Sequence, residues 1–587
     1  MPAFAIGDED FLLDGAPVQV VSGALHYFRI HPDQWADRLR TARLMGLNTV
    51  ETYVAWNAHS PRRGVMDLTG RADLGRFLDL AAAEGLHAIV RPGPFICAEW
   101  DGGGLPAWLL AAEGVGVRRS EPTYLAAVED FLAGVLPVVA ERQVTRGGPV
   151  LMVQVENEYG AYGDDAGYLR ELVAMTRAQG IEVPLFTCDQ ADDAMLARGG
   201  LPELHRTATF GSRSTERLAV LRRHQPTGPL MCAEFWAGWF DAWGGHHHLP
   251  DVDRAAGDLD ELLAAGASVN IYMAHGGTNF GFTNGANDKG VYAPTVTSYD
   301  YGAPIAEDGS PTPLFHAFRE VVSRYAPVPA DLPPERRPAP ALDVALDRRL
   351  DATSATSVLG PWKEWDHLPT TDEAEQWTGL VAYRTDVTAD DGVLVLDEVR
   401  DHVVARLDGR PIGVLDRSRG DRVLPLPAAD GVLELLVEDQ GRVNYGPRIG
   451  EPKGLLGPAR TTAREVTSWR TAPLLLDDVT ALAEEVREQP DQDPAAPVAG
   501  PAFCAGTFAS EPGADHFLAL TGWGKGLVWV NGWCLGRYWS AGPTRTLYVP
   551  GPLVREGAND LLVLELHGAA QARAGFVAAP DLGHTED

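Results

Sequence analysis

An α/β barrel followed by all-β modules is the fold class this sequence predicts, and three observations carry it. Residues 1–325 alternate buried-type apolar runs with segments of helical periodicity, and eight such runs can be marked. A proline-rich break, PVPADLPPERRPAPA, follows at 327–341. Beyond it helical patterns nearly vanish, and short alternating runs separated by Gly, Asp and Pro turns take over. The prediction is an N-terminal (β/α)8 TIM barrel with two β-sandwich modules of jelly-roll type. A doubly wound open sheet is the runner-up, but no G-x-G-x-x-G turn follows the first strand.

The eight barrel strands are expected within 18–28, 48–56, 87–96, 150–158, 183–190, 207–212, 230–236 and 268–277. PDQWADRLRTARLMGL, between the first two, places Trp35, Leu39 and Ala42 at helical spacing and ends near Gly46. In the second half, GVLVLDEV, HVVARLDG, GVLELLVED, GLVWVNGW and DLLVLELHG read as antiparallel strands. The domains implied are a barrel over 1–326, a Pro-rich linker or strap over 327–364, and a first sandwich over 365–483. An acidic Pro-rich linker over 484–500 then leads to a second sandwich over 501–587.

At 587 residues the chain needs several cores. The formal net charge of −32 argues against nucleic acid, which requires clustered Lys and Arg. No uninterrupted apolar stretch approaches ~18 residues, so no membrane partner is expected. MPAFAIGDEDFLLDG shows neither a basic nor an apolar leader region, and five cysteines do not suggest a disulfide framework. A cytoplasmic setting is the expectation.

Two apolar runs end in carboxylates. GGPVLMVQVENEYG, 147–160, delivers Glu156, Asn157 and Glu158, and PLMCAEFWAGW, 229–239, delivers Glu234. Charged residues are rarely buried without a partner or a task, and in this barrel the working residues sit at the C-terminal ends of strands. Two carboxylates from the fourth and seventh strands suit hydrolysis of a glycosidic bond: one protonates the leaving oxygen, the other attacks or stabilises the sugar carbon. The same rule selects Tyr53, Cys97, Ala98, Glu99, Asn157, Asp189, Trp236 and Tyr272 as a polar, aromatic rim. Continued strand geometry would set Glu156 ~6.6 Å deeper than Glu158 on the same face. Glu158 is then the better acid, and Glu156 a structural carboxylate paired with an arginine such as Arg29 or Arg91.

These residues reach a known family. TYVAWNAH, RPGPFICAEWDGGGLPAWL, GGPVLMVQVENEYG, CAEFWAGWFDAWGG, NIYMAHGGTNFGFTNGAN and TSYDYGAP together resemble the β-galactosidases of glycoside hydrolase family 35. The resemblance returns in NYGP, 444–447, and GWGKGLVWVNGWCLGRYW, 522–539. It implies a retaining exo-β-galactosidase with Glu158 as acid/base and Glu234 as nucleophile, no metal or organic cofactor, and galactose-binding-like sandwich modules. Asn157 would hold the sugar 2-hydroxyl. Tyr53, the Cys97–Ala98 backbone, Glu99 and Tyr301 would contact other hydroxyls, with Tyr272 near the nucleophile. One departure is visible: Trp236 stands where animal members carry tyrosine, which keeps the wall aromatic without a phenolic hydroxyl.

The partner implied is a small or oligosaccharide β-galactoside, and a homo-oligomer is open. The alternatives are an exo-β-glucosaminidase or other β-glycosidase on the same scaffold, or an inactive galactoside-binding protein. The run His246-His247-His248 invites a metal reading, but consecutive loop side chains alternate in direction and no Cys or Asp joins them at ligand spacing. Linkage preference, aglycone and physiological substrate are not written in the sequence.

Overall fold

The computed structural model describes residues 3–112, 114–336 and 338–586. Eight parallel strands close into a barrel: β1 (Val21–Leu25), β2 (Thr49–Tyr53), β3 (His87–Arg91), β4 (Val150–Gln154), β5 (Leu185–Gln190), β6 (His205–Phe210), β7 (Met231–Trp236) and β8 (Ser268–His275). They follow one another in order around the ring, and β8 pairs with β1 to close it. Nearly every strand residue is buried, as a parallel sheet covered on both faces requires. A three-stranded antiparallel sheet (Phe4–Ile6, Phe11–Leu13, Ala16–Val18) closes the barrel's N-terminal end, where Phe11 packs edge-on against His205 at 5.5 Å.

Helix α1 (Trp35–Met45) buries Trp35, Leu39 and Ala42, and it stops at Gly46. That residue takes φ 107°, and a Cβ there would stand 2.9 Å from Val322, so both conformation and space call for glycine. Among the described residues one helix, Pro122–Ala140, has the length and hydropathy of a membrane span. Its Val128, Phe131, Leu132, Val135, Leu136 and Val139 are buried in the barrel core.

The second half forms two sandwiches. In the first, a six-stranded sheet (Lys363–Trp365, Trp469–Pro473, Leu380–Val387, Gly431–Glu438, His402–Leu407, Arg410–Asp416) faces smaller sheets across a core containing Val381, Tyr383, Leu435 and Trp469. In the second, a five-stranded sheet packs on a four-stranded one around Cys504, Val528, Val563 and Phe576.

Both expected linkers need correction. Leu342–Ala345 and Arg348–Asp351, placed in the Pro-rich strap, pair with Arg573–Val577 and Ala502–Ala509, so they are strands of the last sandwich. Thr480–Arg487, running into the acidic segment, is a helix that buries Leu482 and Val486. Those two side chains belong to an apolar cluster joining the sandwiches, with Leu380, Val404 and Leu436 on one side and Phe503, Trp529 and Leu562 on the other. Proline richness marked where helices end, but an edge strand tolerates nearby proline and the pattern could not exclude it.

Ions seal the junction. Glu438 of the first sandwich accepts from Arg537 of the second at 2.6 Å and from Lys525. Arg537 also donates to Asn284 of a barrel loop at 2.7 Å and to the Asp439 carbonyl at 3.0 Å. Three domains therefore meet on one buried guanidinium.

Removing one partner of such a cluster costs about 3–5 kcal/mol because a charge is left buried. Glu438→Gln strands two cations, whereas Arg537→Met leaves the Lys525–Glu438 pair balanced. Calorimetry should give both variants a lower Tm than the parent, with Glu438→Gln the lower of the two. The reverse ranking would show that charge balance does not govern this junction.

Candidate active site

Ten of the eleven anticipated site residues, all but Asp189, line one pocket of about 540 Å³ at the C-terminal end of the barrel. Tyr53 ends β2, Cys97, Ala98 and Glu99 follow β3, Asn157 and Glu158 follow β4, and Glu234 and Trp236 end β7. Tyr272 lies within β8, and Tyr301 on the loop beyond it.

Glu234 is the most heavily bonded carboxylate facing the pocket. Its Oε1 accepts from Arg91 Nη2 at 2.7 Å and from the Tyr53 hydroxyl at 2.6 Å, and its Oε2 accepts from the Trp236 indole at 3.0 Å. The indole N–H thus supplies a hydrogen bond although no phenol stands at that position. Asn157 Oδ1 receives Arg91 Nη2 at 2.7 Å, Tyr53 at 2.8 Å and Gln154 at 3.1 Å, which fixes the orientation of its amide. The single hydroxyl proton of Tyr53 can serve Glu234 or Asn157, one at a time.

Glu158 stands in a different environment. Its backbone N–H donates to Cys188 O at 2.9 Å, tying it to β5, and its Oε1 accepts from Thr209 of β6 at 3.0 Å. Burial, reinforced by the negative charge of Glu234, pushes its carboxyl up to about 8, against the opposing Thr209 hydrogen bond. Burial likewise lifts Glu99 to about 7, against a 2.5 Å hydrogen bond from the Tyr299 hydroxyl and the charge of Arg29.

The expected reason for separating Glu156 from Glu158 is corrected. Strand β4 ends at Gln154, and both glutamates take left-handed backbone angles, φ 59° and 45°. Glu156 is a buried structural carboxylate all the same, but its partner is Arg118, not Arg29 or Arg91. Arg118 donates to it at 3.0 and 2.7 Å, and Tyr168 adds a bond at 2.8 Å. Arg29 instead lies 3.8 Å from the Tyr299 ring centre and holds the Ala98 carbonyl at 2.5 Å. Asp189 points away from the rim role expected of it: it accepts from Gly160 N–H at 2.7 Å and so supports the loop carrying Glu158.

The histidine run is joined by an aspartate after all. Asp241 pairs with His247 Nδ1 at 2.7 Å and His248 Nδ1 at 2.9 Å, bracing the loop that carries Trp239 and Phe240 into the pocket wall. Among the described residues no three His, Cys, Asp or Glu side chains are placed to hold a metal ion.

Several neighbours of the site were missed. Glu51, in the middle of β2, lies 3.7 Å from Arg91, and burial raises it to about 7 despite that arginine. A carboxylate inside an apolar run was the signal that found Glu234, and it was equally available here. Asn287, Lys289 and Tyr445 also line the pocket. Tyr445 comes from the first sandwich, through a strand (Val443–Tyr445) that pairs with Ala286–Asp288 of the barrel loop. Only the NYGP block hinted at it.

Replacing Glu234 by Gln removes the like charge that helps raise Glu158. The Glu158 carboxyl should then titrate lower than in the parent protein, read by carbon-13 NMR of labelled glutamate. An unchanged Glu158 titration would show that burial alone sets it.

Comparisons with known proteins agree with this geometry. The model described as "Glycosyl hydrolases family 35" matches residues 10–325. "Beta-galactosidase, first all-beta domain" matches 369–475, and "Beta-galactosidase, galactose-binding domain" matches 501–559. Similar chains include the beta-galactosidases of Mus musculus (40% identity, 95% of this chain and 90% of that one) and Felis catus (41%, 96% and 88%). That of Xanthomonas manihotis is 38% identical over 93% of this chain and 91% of its own.

Proposed function

This chain belongs to glycosyl hydrolase family 35, a family of retaining glycosidases, and we propose that it releases terminal β-D-galactose from the non-reducing ends of galactosides. The observation that carries the mechanism is the contrast between two carboxylates in one pocket. Glu234 is paired with a cation and two further donors, while Glu158 is held up to about 8. A hydrolase of this type needs one carboxylate ready to attack and one carboxylic acid ready to donate. The galactose preference rests on the similarity to chains named beta-galactosidase.

Glu234 attacks the anomeric carbon as Glu158 protonates the departing glycosidic oxygen, giving a galactosyl ester on Glu234. Esterification removes the negative charge that helped raise Glu158, so the Glu158 acidity increases. As a carboxylate it then takes a proton from water, which opens the ester and restores the β configuration. Arg91 and the Trp236 indole keep the Glu234 carboxylate oriented throughout. Asn157 Oδ1 is fully engaged, so its Nδ2, whose one contact among the described residues is to Ile96 O at 3.4 Å, is the donor left for the sugar 2-hydroxyl. Tyr53, Glu99, Tyr272, Tyr301 and the Cys97–Ala98 backbone surround the remaining hydroxyls. A cytoplasmic location belongs to the same reading and is supported by five free cysteines; activity found outside the cytoplasm on fractionation would overturn it.

Exchanging either carboxylate tests the roles. Glu234→Gln should abolish turnover of every galactoside. Glu158→Ala should lose most on poor leaving groups and regain activity with added azide, yielding β-galactosyl azide. Equal losses on all leaving groups, with no azide product, would reverse the assignment.

The pH profile supplies a second test. Because Glu158 must carry its proton in the first step, kcat/KM should fall as pH rises through about 8. The two carboxylates interact, so that limb belongs to the pair. With an activated aryl galactoside the alkaline limb should flatten in Glu158→Gln; an unaltered limb would mean another group titrates there.

A further inference from the structure

A second cleft of about 830 Å³ adjoins the pocket on its Glu158 side, and Cys97, Asn157, Glu158 and Tyr445 are walls of both. The rest of its lining is largely apolar or aromatic, with Phe95, Tyr162, Pro447 and Ile449. Arg118 is the one cation among the described residues lining it, and its charge is already committed to Glu156. That guanidinium lies 3.8 Å from the Phe95 ring centre and 4.4 Å from that of Tyr162. The Tyr162 hydroxyl donates to Val117 O at 3.1 Å, so the ring is held at its edge and over one face, yet the residue remains 43% exposed. An aromatic ring fixed this firmly and left open is a preformed surface for another flat group.

We propose that this cleft receives the first ring of the leaving group and that Tyr162 is its stacking platform. The inference rests on reading Glu158 as the acid. That carboxyl must face the glycosidic oxygen, so the leaving group extends past Glu158, where the cleft begins. The occupant is an uncharged ring with an apolar face, either a second hexose presenting its C–H groups or an aryl group. An anionic ring finds no unpaired cation among the described residues lining the cleft.

The experiment compares kcat/KM for β-galactosyl fluoride, whose leaving group is a single atom, with that for a β-galactosyl-glucose disaccharide and for 4-nitrophenyl β-galactoside. In Tyr162→Ala the ratio of ring-bearing substrate to fluoride should fall about tenfold, and Tyr162→Phe should hold it within about twofold of the parent. A fall on the disaccharide alone identifies the occupant as a sugar, and a fall on the aryl substrate alone as an aromatic group. If the fluoride falls in parallel, Tyr162 only buttresses Arg118 and the inference is overturned; an unchanged ratio overturns it equally. A parent enzyme inert toward galactosyl fluoride would instead sink the β-galactosidase reading, a failure the ratio cannot imitate.

Discussion

The guanidinium of Arg91 is the group around which the pocket is organised. It sits wholly buried at the end of β3, donating at 2.7 Å to each of Gln154, Asn157 and Glu234 and stacking 4.1 Å from the Tyr53 ring centre. A buried cation is tolerated only with partners, and here two carboxylates compete for it. Glu234 wins by distance, 2.7 Å against 3.7 Å for Glu51. Burial raises Glu51 to about 7 against the opposing charge of Arg91, with the negative charge of Glu234 adding to the rise. The asymmetry between the pocket's carboxylates thus begins one layer below it. Among the described residues Glu158 has Thr209 and no paired cation, and burial together with the Glu234 charge holds its carboxyl up to about 8.

The backbone is shaped to present these groups. Cys97, Ala98 and Glu99 take φ of 58°, 55° and 48° in succession, and Glu158 and Tyr301 take 45° and 65°. Each non-glycine residue in this region costs about 1–2 kcal/mol, so such a run persists only under tertiary restraint. Arg29 holds the Ala98 carbonyl, Tyr299 holds the Glu99 carboxyl, and Asn444 reaches the Cys97 sulfur at 3.4 Å. A regular strand would send alternate side chains to opposite faces. After β3 and β4 the strand ends early and the backbone turns left-handed, which lets neighbouring residues converge on one cavity.

That choice explains what the sequence could and could not convey. All eight barrel strands were legible because parallel strands buried on both faces read as uninterrupted apolar runs. Their C-terminal ends were not, since the segment that stops β4 at Gln154 is Val155-Glu156-Asn157-Glu158, left-handed at its two glutamates, with no glycine or proline to announce a turn. The ten pocket residues were reached from strand-end position together with the family resemblance; strand-end position alone also selected Asp189, which faces elsewhere. The partner of Glu156 was out of reach, because Arg118 comes from a loop 38 positions upstream with no pattern of its own. Glu51 was in reach and passed over.

The least legible part is the contribution of the first sandwich. Its strand Val443–Tyr445 joins the barrel loop as a ladder, with Ala286 opposite Val443 and Asn287 opposite Tyr445. Asn444 bonds Asn287 at 3.2 Å, and the Arg442 N–H donates to Asp101 Oδ1 at 2.7 Å, just beyond the left-handed turn. Beneath them Lys453 is buried against Asp401, Asp439 and Tyr292. Backbone ladders and buried ion pairs tolerate little displacement, so the strand that carries Tyr445 is firmly placed. The pocket wall beside Glu158 is therefore built by two domains. The first sandwich thus supplies part of the pocket wall, and its ladder to the barrel loop sets Tyr445 beside Glu158.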